Sequence, residues 1–480
     1  MNLSAPLRFA VVGHPNEGKS SVVSTLAEDD TVPVGPFPGE TRSCHVYPVI
    51  VDGRPIVEFI DTPGFQNPRH TLAWLEECGI RDEEAVKAFR IAHQDLPEYR
   101  HELELLRPIE EGAGIIYVVD GSRPLHKDDR AEMEILRRTG RPRLAIINFK
   151  DQDDRYLEEW KGAFRRNFNS VRVFNAHHAN YAERIALLET LENIDQDWQP
   201  AMEQVISAFR RDWRQRLART VDLICDLLEK SLGHVTLAKY DEKEKESAEE
   251  RLKERFCRDL GELEQTFHQR IRRLFKHNIF KYQPPPNSAL RDNLFSERVW
   301  KVLGLDRSQL TWAAALAGGA AGAGLDVAFT GISAGVFTAT GALIGALSAY
   351  LGGENLARVK GMGPRLFGLR LLPSIGKIEL KIGPLHNLQF FFVLIDRVLI
   401  FFSYVINWAH GRREPLPEDS PGEAREGYTA QWSDEQRRVA IRYFEALRNP
   451  DDVDRLEKRR LEFQAFLRHF LAGLSGENPE

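Results

Sequence analysis

Residues 13–20 read Gly-His-Pro-Asn-Glu-Gly-Lys-Ser and carry the pattern G-x-x-x-x-G-K-[ST]. Glycines let the backbone curl close to a ligand, and successive N–H groups then point at it from the start of a helix. Lys19 can reach the β- and γ-phosphates of a nucleotide, and the Ser20 hydroxyl can hold Mg²⁺. This stretch therefore predicts a phosphate-binding loop. Its predicted binding residues are Gly13, Asn16, Glu17, Gly18, Lys19, Ser20 and Ser21.

The segments on either side of the loop are the ones that such a loop requires. Residues 8–12 (RFAVV) form an apolar run typical of a buried strand, and residues 21–26 (SVVSTL) continue as a helix. A chance match to a short pattern is the alternative. The correct strand and helix on either side argue against it.

Two later segments supply groups that surround a nucleotide and its Mg²⁺. Residues 32–42 are too rich in proline and glycine for regular structure, and Thr41 in this loop can close over a triphosphate with its hydroxyl on the metal. Residues 56–60 predict a strand that ends at Asp61, whose carboxylate can reach the Mg²⁺. Gly64 follows, with an N–H able to touch the γ-phosphate. Ser20, Thr41 and Asp61 are thus the predicted metal-binding residues.

Two more apolar runs, residues 115–120 and 144–147, predict further strands of a sheet that is covered on both faces. Asn148 and Asp151 follow the second run with the spacing N-x-x-D. A carboxylate at Asp151 accepts hydrogen bonds from N1–H and the exocyclic amine of guanine, which adenine cannot match. After another strand, the backbone N–H of Ala176 can meet the guanine oxygen.

Together these segments resemble a GTPase of the TrmE–Era group, within the translation-factor-related P-loop class. The five motifs read GHPNEGKS, PGETR, DTPG, NFKD and NAH in the family order, and the resemblance covers residues 5–195. It implies an α/β fold, a Rossmann-like and mostly parallel sheet with GTP and Mg²⁺ at the carboxyl ends of the strands. The alternation of strands and helices points to the same architecture.

Three positions bear on activity. Phe149 stands where the family usually has a lysine that covers the base, and its ring could stack there instead. Phe65 stands where Ras-like enzymes carry a glutamine that orients the attacking water. Asn16 matches an asparagine that some family members use to hold K⁺; bracing its own loop is the alternative. The predicted catalytic residues are Lys19, Thr41 and Asn16.

The connection at residues 66–112 is longer than the adjoining strands need, and it contains three predicted helices, at 71–75, 83–92 and 99–106. An insertion directly after Gly64 could transmit the nucleotide state to the rest of the chain. Inert decoration is the other interpretation.

Length and composition limit the remaining possibilities. The chain has 480 residues and a net charge of −6, so two or three domains are expected and nucleic acid is not an expected partner. The four cysteines are widely spaced, and no cysteine or histidine spacing typical of a zinc site occurs. The first residues lack a secretory h-region, so the nucleotide domain is expected in the cytoplasm. We place the GTP-binding domain at 1–197 and a mainly helical domain at 198–480.

Two amphipathic stripes, within 205–228 and 252–274, predict long helices in the second half. Residues 311–353 are nearly uncharged and rich in alanine and glycine, long enough for two helices of about twenty residues across a bilayer. Asp326 opposes membrane insertion, whereas the basic segment 358–413 favours contact with anionic lipid. A membrane-associated hairpin and a soluble bundle of closely packed helices both stay open.

Residues 388–409 are apolar but contain Asp396 and Arg397, which predicts a core helix whose charges have partners rather than a bilayer span. This half resembles the carboxyl-terminal domains of unknown function that bacterial chains join to such GTPase domains. The other predicted elements are a short strand at 378–382 and closing helices at 435–447 and 453–474.

The expected function is that of a GTP-hydrolysing switch, slow and K⁺-assisted, whose helical half reads out the nucleotide state at the inner face of the cell membrane. The expected ligands are GTP, GDP, Mg²⁺ and K⁺, with a protein partner and membrane lipid beyond them. A nucleotide-gated scaffold or tether with little turnover is the main alternative. An Era-like RNA-assembly factor is disfavoured, because the chain is acidic and no RNA-binding module is recognisable.

Overall fold

The computed structural model describes residues 5–33, 41–79, 83–149, 154–176, 179–240, 245–277, 290, 370–372, 378–410 and 427–477. The chain divides into two compact units. The first comprises Met1–Gln215, Phe275–Phe280 and Ile406–Glu414, and the second comprises Arg216–Leu274, Lys281–Val405 and Pro415–Glu480. The predicted hairpin at 311–353 lies outside the described residues.

A six-stranded sheet forms the centre of the first unit, in the order β2-β3-β1-β4-β5-β6, and all neighbouring strands are parallel except β2 and β3. The expected mostly parallel α/β architecture is confirmed. The strands are β1 (Leu7–Val12), β2 (His45–Val51), β3 (Arg54–Asp61), β4 (Gly114–Asp120), β5 (Arg143–Asn148) and β6 (Ser170–Val173).

Helices flank this sheet. Every residue of β4 is buried, as expected for a strand with helices on both faces. The helices of the first part of the chain are α1 (Lys19–Ala27), α2 (Pro68–Cys78), α3 (Glu83–His93), α4 (Arg100–Glu110), α5 (Lys127–Arg138), α6 (Leu157–Asn167) and α7 (Tyr181–Glu192).

Strand β2 was missing from the sequence-based prediction. It pairs antiparallel with β3 through a tight hairpin in which Asp52 and Gly53 both have positive φ, 50° and 77°. An Asp-Gly pair between two β-branched runs is a strong hairpin signal. Pro48 is tolerated because β2 is the edge strand of the sheet.

The predicted insertion contributes three helices to the core of the first unit. Leu75 of α2, Phe89 of α3 and Leu105 of α4 are each at most 1% exposed and belong to one apolar cluster with the sheet. The helices predicted at 71–75, 83–92 and 99–106 are therefore confirmed as longer elements. The insertion is an integral layer of the domain.

Most of the described residues of the second unit are helical, and a small antiparallel sheet in the order β7-β9-β8 accompanies the helices. The strand predicted at 378–382 is confirmed as β9, whereas β7 and β8 were not predicted. The elements are α8 (Gln199–Gly233), which begins in the first unit, β7 (Thr236–Tyr240), α9 (Lys245–Leu274), β8 (Arg370–Leu372), β9 (Ile378–Ile382), α10 (Leu388–Ile406), α11 (Asp434–Leu447) and α12 (Val453–Leu474).

Helix α10 has the hydropathy of a membrane span, with a mean of 1.9 over eighteen residues, but 94% of that window is buried inside the protein. It is the one helix among the described residues with this length and composition. Arg397 donates to both carboxylate oxygens of Glu264, at 2.6 and 3.0 Å, and Asp396 accepts from the Thr429 N–H at 2.7 Å. The prediction of a core helix with partnered charges is confirmed.

Helices α11 and α12 close the second unit and match their predicted ranges closely. Tyr443 of α11 stacks on Phe463 of α12, with ring centroids 4.9 Å apart, and Phe391 of α10 packs against both rings. Buried aromatic surface of this kind makes a large contribution to stability.

Candidate nucleotide site

The loop after β1 has the backbone shape that its glycines make possible. Gly13 and Gly18 have φ values of 145° and 92°, a region that only glycine adopts without strain. A Cβ at Gly13 would lie 2.3 Å from the Val118 carbonyl oxygen, and one at Gly18 would lie 2.3 Å from Nδ2 of Asn148. Neither position has room for a side chain. The loop therefore lies directly against β4 and the end of β5.

The side chains predicted to hold phosphate and metal lie together at the start of α1. Lys19 is 7% exposed, and its Nζ donates to the carbonyl oxygen of His14 at 2.8 Å. The Ser20 hydroxyl donates to Oδ2 of Asp61 at 2.7 Å, and the Thr41 hydroxyl donates to the same oxygen at 3.3 Å. The three predicted metal-binding residues thus converge on one carboxylate.

Asp61 has the properties of a metal ligand. The residue is 2% exposed, and Oδ1 accepts no hydrogen bond among the described residues. Burial raises the pKa of this carboxyl, while hydrogen bonds from Ser20 and Thr41 and the charge of Lys19 oppose the shift. A buried oxygen without a donor beside two hydroxyls fits the oxygen ligands that Mg²⁺ prefers. These residues suit the implied metal.

The segment after Asp61 lies against the phosphate-binding loop. The Phe65 N–H donates to the Gly13 carbonyl at 3.3 Å, and a Cβ at Gly64 would lie 2.5 Å from the Pro15 nitrogen. The Phe65 side chain is fully buried in the core of the first unit. Its ring therefore points away from any position where it could act on a water molecule.

Asn148 joins the phosphate-binding loop to the loop after β6. Its Nδ2 donates to the Glu17 carbonyl and its Oδ1 accepts from the Ala176 N–H, each at 3.1 Å. Thr25 of α1 adds a hydrogen bond to the Ala176 carbonyl at 3.1 Å. Asp151 lies outside the described residues, so the structure places only Asn148 of the two residues predicted to bind guanine.

Phe149 packs beside Gly121. A Cβ at Gly121 would lie 2.8 Å from two ring atoms of Phe149, and the ring rests on the edge of the apolar core. The ring therefore has a packing role of its own. Its expected contact with a base stays a prediction.

Glu17 was predicted to bind the ligand, but its side chain is directed into the protein. It accepts from the Asp120 N–H and forms an ion pair with Arg123 at 2.7 Å. Arg123 also forms a bidentate pair with Asp129, at 2.7 and 2.8 Å. Only the backbone of Glu17 is thus left to contribute to phosphate binding. Arg123 and Asp129 carried no motif that could have revealed them.

A second network under the loop was also missed. His14 Nδ1 lies 3.0 Å from Oε1 of Glu132, and the Tyr117 hydroxyl donates to Oε2 at 3.0 Å. Burial raises the pKa of Glu132 to about 7, which His14 and Tyr117 partly offset. The hydrogen bond to Glu132 in turn raises the pKa of His14. Because His14 belongs to the loop, this network connects the loop to helix α5.

Helix α4 contacts the chain at two places, just after Thr41 and just after Gly64. Oε1 of Glu102 accepts from the backbone N–H groups of Gln66 and Asn67, at 2.7 and 2.5 Å. Oε1 of Glu104 accepts from the Cys44 N–H at 2.9 Å. One helix of the insertion therefore binds both the residues that follow Thr41 and the residues that follow Gly64.

This loop, the metal-type carboxylate and the Asn148 bridge, on a mostly parallel sheet, define a P-loop GTPase domain of the TrmE–Era type. A family model described as a 50S ribosome-binding GTPase matches residues 8–149. GTPase Der of Dinoroseobacter shibae is 28% identical over 170 residues, covering 35% of this chain and 30% of that protein. The tRNA modification GTPase MnmE of Pseudothermotoga lettingae is 26% identical over 152 residues, covering 32% and 28%. The chain thus spans less than a third of the length of either relative.

The chain belongs to the family described as a domain of unknown function, DUF3482, whose model matches residues 161–470, more than half of the sequence. It joins that domain to the GTPase domain in front of it. A solved structure of Era in complex with MgGDPNP and nucleotides of 16S ribosomal RNA covers 49% of this chain and 72% of its own, at 14% identity and a TM-score of 0.29. A likeness this weak supports no functional argument.

Proposed function

We propose that the protein binds GTP and GDP with Mg²⁺, hydrolyses GTP slowly, and acts as a switch. The convergence of Ser20 and Thr41 on Asp61 carries this proposal, because it assembles the oxygen ligands of Mg²⁺ from three separate chain segments. Bound Mg²⁺ would neutralise charge on the β- and γ-phosphates. Lys19, at the start of α1, contributes a further positive charge at the phosphate-binding end of the helix.

Isothermal titration with GDP and with a non-hydrolysable GTP analogue tests nucleotide binding. Charge-assisted hydrogen bonds are worth about 1.5–3 kcal/mol each, so Lys19→Ala should weaken binding by roughly 100-fold. Lys161→Ala is the matched control, since within the described part of the chain that lysine pairs only with the exposed Glu158 on the same helix, α6. Binding of both nucleotides by Lys19→Ala at wild-type affinity would refute the assignment.

Guanine selectivity rests on Asn148 and Asp151. A carboxylate at Asp151 matches guanine, whereas an asparagine there matches xanthine. We expect Asp151→Asn to shift the preference from GDP to XDP, measured by competition against a fluorescent nucleotide. An unchanged preference would contradict the guanine assignment.

Turnover is proposed to depend on K⁺ held by Asn16. This residue has a φ of 66°, which keeps the loop backbone in a left-handed conformation beside the phosphate region. Faster hydrolysis in K⁺ than in Na⁺, lost in Asn16→Ala with GDP affinity retained, is the expected result. Equal rates of GTP hydrolysis in K⁺ and in Na⁺ would contradict a K⁺ site at Asn16.

A nucleotide-gated scaffold with little turnover is the second candidate, and the buried Phe65 favours it. This side chain occupies the position after Asp-Thr-Pro-Gly and cannot orient water. A single-turnover assay separates the two candidates. No phosphate release in K⁺, together with tight GTP binding, would select the scaffold.

Helix α4 is proposed to read the nucleotide state, because Glu104 binds the backbone just after Thr41 and Glu102 binds the backbone just after Gly64. Any rearrangement of these segments must either move α4 or break those hydrogen bonds.

Association with the inner face of the cell membrane through 311–353 and the basic segment 358–413 is proposed from the sequence. Co-sedimentation with anionic vesicles, before and after deletion of 311–353, tests it, and equal sedimentation of both forms would count against the hairpin.

A further inference from the structure

Two histidines and an aspartate from distant parts of the sequence meet inside the first unit. Asp30, His277 and His410 are 4%, 8% and 8% exposed, and their ligand atoms all lie within 4.8 Å of one another. The two imidazole rings stack with centroids 4.4 Å apart and an angle of 16° between their planes. They are separate from the side chains of Ser20, Thr41 and Asp61 that converge in the nucleotide site.

Local hydrogen bonds fix the backbone on both sides of Asp30. Glu28 ends α1 in a left-handed conformation with its N–H on the Ser24 carbonyl. Asp29 then accepts from both the N–H and the hydroxyl of Thr31, at 2.9 and 2.6 Å. Asp30 lies between Asp29 and Thr31, which these hydrogen bonds join, so its carboxylate projects from a rigid turn.

The residues before His277 are also anchored. Phe275 packs edge-on against Trp213, with centroids 5.2 Å apart, and Lys276 forms an ion pair with Glu28 at 3.0 Å. Glu28 is held in addition by Arg184 at 2.5 Å. The segment that carries His277 is therefore tied to the same turn that carries Asp30.

We propose that Asp30, His277 and His410 form a binding site for a divalent transition metal, with Zn²⁺ as the ion that fits best. Zinc takes imidazole nitrogen and carboxylate oxygen at about 2.0–2.2 Å, often from three protein residues with a fourth position open. Tetrahedral ligands at this distance lie about 3.4 Å apart, so the donors need to approach one another by no more than roughly 1.4 Å. Burial keeps water from competing for the ion.

The place of the site gives it a role. Asp30 lies between α1, which begins with Lys19 and Ser20, and the loop that leads to Thr41. A metal bound here would link the start of that loop to the segments that carry His277 and His410. We expect zinc to slow amide hydrogen exchange in residues 28–32.

Metal loading of the full chain tests the proposal. The protein, stripped with chelator and saturated with Mg²⁺ and GDP so that the nucleotide site is filled, is loaded with ZnCl₂ and desalted. Elemental analysis should give one zinc per chain. X-ray absorption should show nitrogen and oxygen neighbours at about 2.0–2.1 Å with imidazole scattering.

Three single variants, Asp30→Asn, His277→Gln and His410→Gln, should each weaken zinc binding at least 10-fold while GDP binding shows that the domain is folded. His234→Gln is the matched control, because His234 and Asp259 form a histidine–aspartate pair at 3.2 Å to which the described residues add no third metal ligand. That variant should still bind one zinc. Folded wild-type protein that takes up no zinc, sulfur neighbours in the absorption spectrum, or unchanged binding in all three variants would each overturn the proposal.

Discussion

Two buried aspartates, one in each unit, differ in how completely their oxygens are satisfied. Asp396 in α10 accepts from the N–H of Thr429 on Oδ1 and from its hydroxyl on Oδ2, at 2.7 and 2.8 Å, so both oxygens have a donor. Asp61 receives both of its hydroxyl donors on Oδ2, and Oδ1 accepts none among the described residues. The fold thus satisfies both carboxylate oxygens of Asp396, whereas it leaves one oxygen of Asp61 available for the proposed Mg²⁺.

The neighbouring pair of Arg397 and Glu264 gives the strongest test of this contrast. Removing one member of a buried ion pair leaves an uncompensated charge and costs about 3–5 kcal/mol. Arg397→Ala should therefore lower the free energy of unfolding of the second unit by that amount, measured by chemical denaturation. The double change Glu264→Leu with Arg397→Met should recover most of the loss, because packed apolar groups can replace a buried pair. A small effect of the single change would mean that the pair is not structural.

Glu132 extends the comparison to a buried carboxyl under the phosphate-binding loop. Its pKa is raised from 4.5 to about 7, so the folded protein keeps a proton that the unfolded chain releases. Stability should fall as pH rises from about 4.5 to 7, by about 3 kcal/mol in total. The raised pKa of His14 acts in the same direction, since its contribution is present below about pH 6.5 and is lost above the folded pKa.

Glu132→Gln should flatten this dependence. The variant is expected to match wild type near pH 4.5 and to melt at a higher temperature at pH 8, as followed by circular dichroism. A parallel pH dependence in the two proteins would show that Glu132 is ionised in the fold at neutral pH.

The two aspartates can also be compared through the same substitution. Asp396→Asn places an amide donor where a carboxylate oxygen accepted, and should cost about 1.5–3 kcal/mol of stability. Asp61→Asn should leave stability unchanged or slightly higher, because it removes a buried charge, and should weaken GTP binding in Mg²⁺ by roughly 10–100-fold. With EDTA in place of Mg²⁺ that difference should vanish. If Asp61→Asn lowered stability as much as Asp396→Asn does, the proposed difference between the two aspartates would be wrong.

The smallest expected effect is that of a substitution in helix α4. Glu104→Ala removes the hydrogen bond to the Cys44 N–H, and should change the ratio of GTP to GDP affinity by about fivefold, or 1 kcal/mol. Glu134→Ala on α5 is a close control, because Glu104 and Glu134 each pair with an arginine three residues on, at 2.7 Å. An equal change in the control would mean that α4 does not sense the nucleotide.

Much of the first unit could be predicted because its signals are local. The centres of β1 and β4, residues 9–12 (FAVV) and 115–119 (IIYVV), are unbroken buried runs without a charge, as a strand covered on both faces demands. Strand β2 escaped because its burial pattern is mostly exposed or intermediate, although Asp52-Gly53 marked its turn. In the second unit, Asp396 and Arg397 identified α10 as a core helix, since unpartnered charges would not be tolerated in an apolar segment.

The parts of the site that could not be predicted depend on contacts across the sequence. Arg123 meets Glu17 across 106 residues, and His14 meets Glu132 across 118. No spacing rule connects such positions, because the sheet order brings them together only once the strands have paired. Asp30, His277 and His410 are likewise far apart in the sequence and meet only in the folded first unit.

Helix α8 has a consequence for the order in which the chain is made. Its residues Asp222 and Glu229 are hydrogen-bonded by Gln464 and Arg460 of α12, which lie 242 and 231 residues later in the chain. This stretch of α8 is therefore synthesised long before its hydrogen-bond partners in α12 exist. The nucleotide-binding sheet has all six of its strands by Val173. A nascent chain would thus carry all six strands of the sheet while this stretch of α8 still lacks its hydrogen bonds with α12.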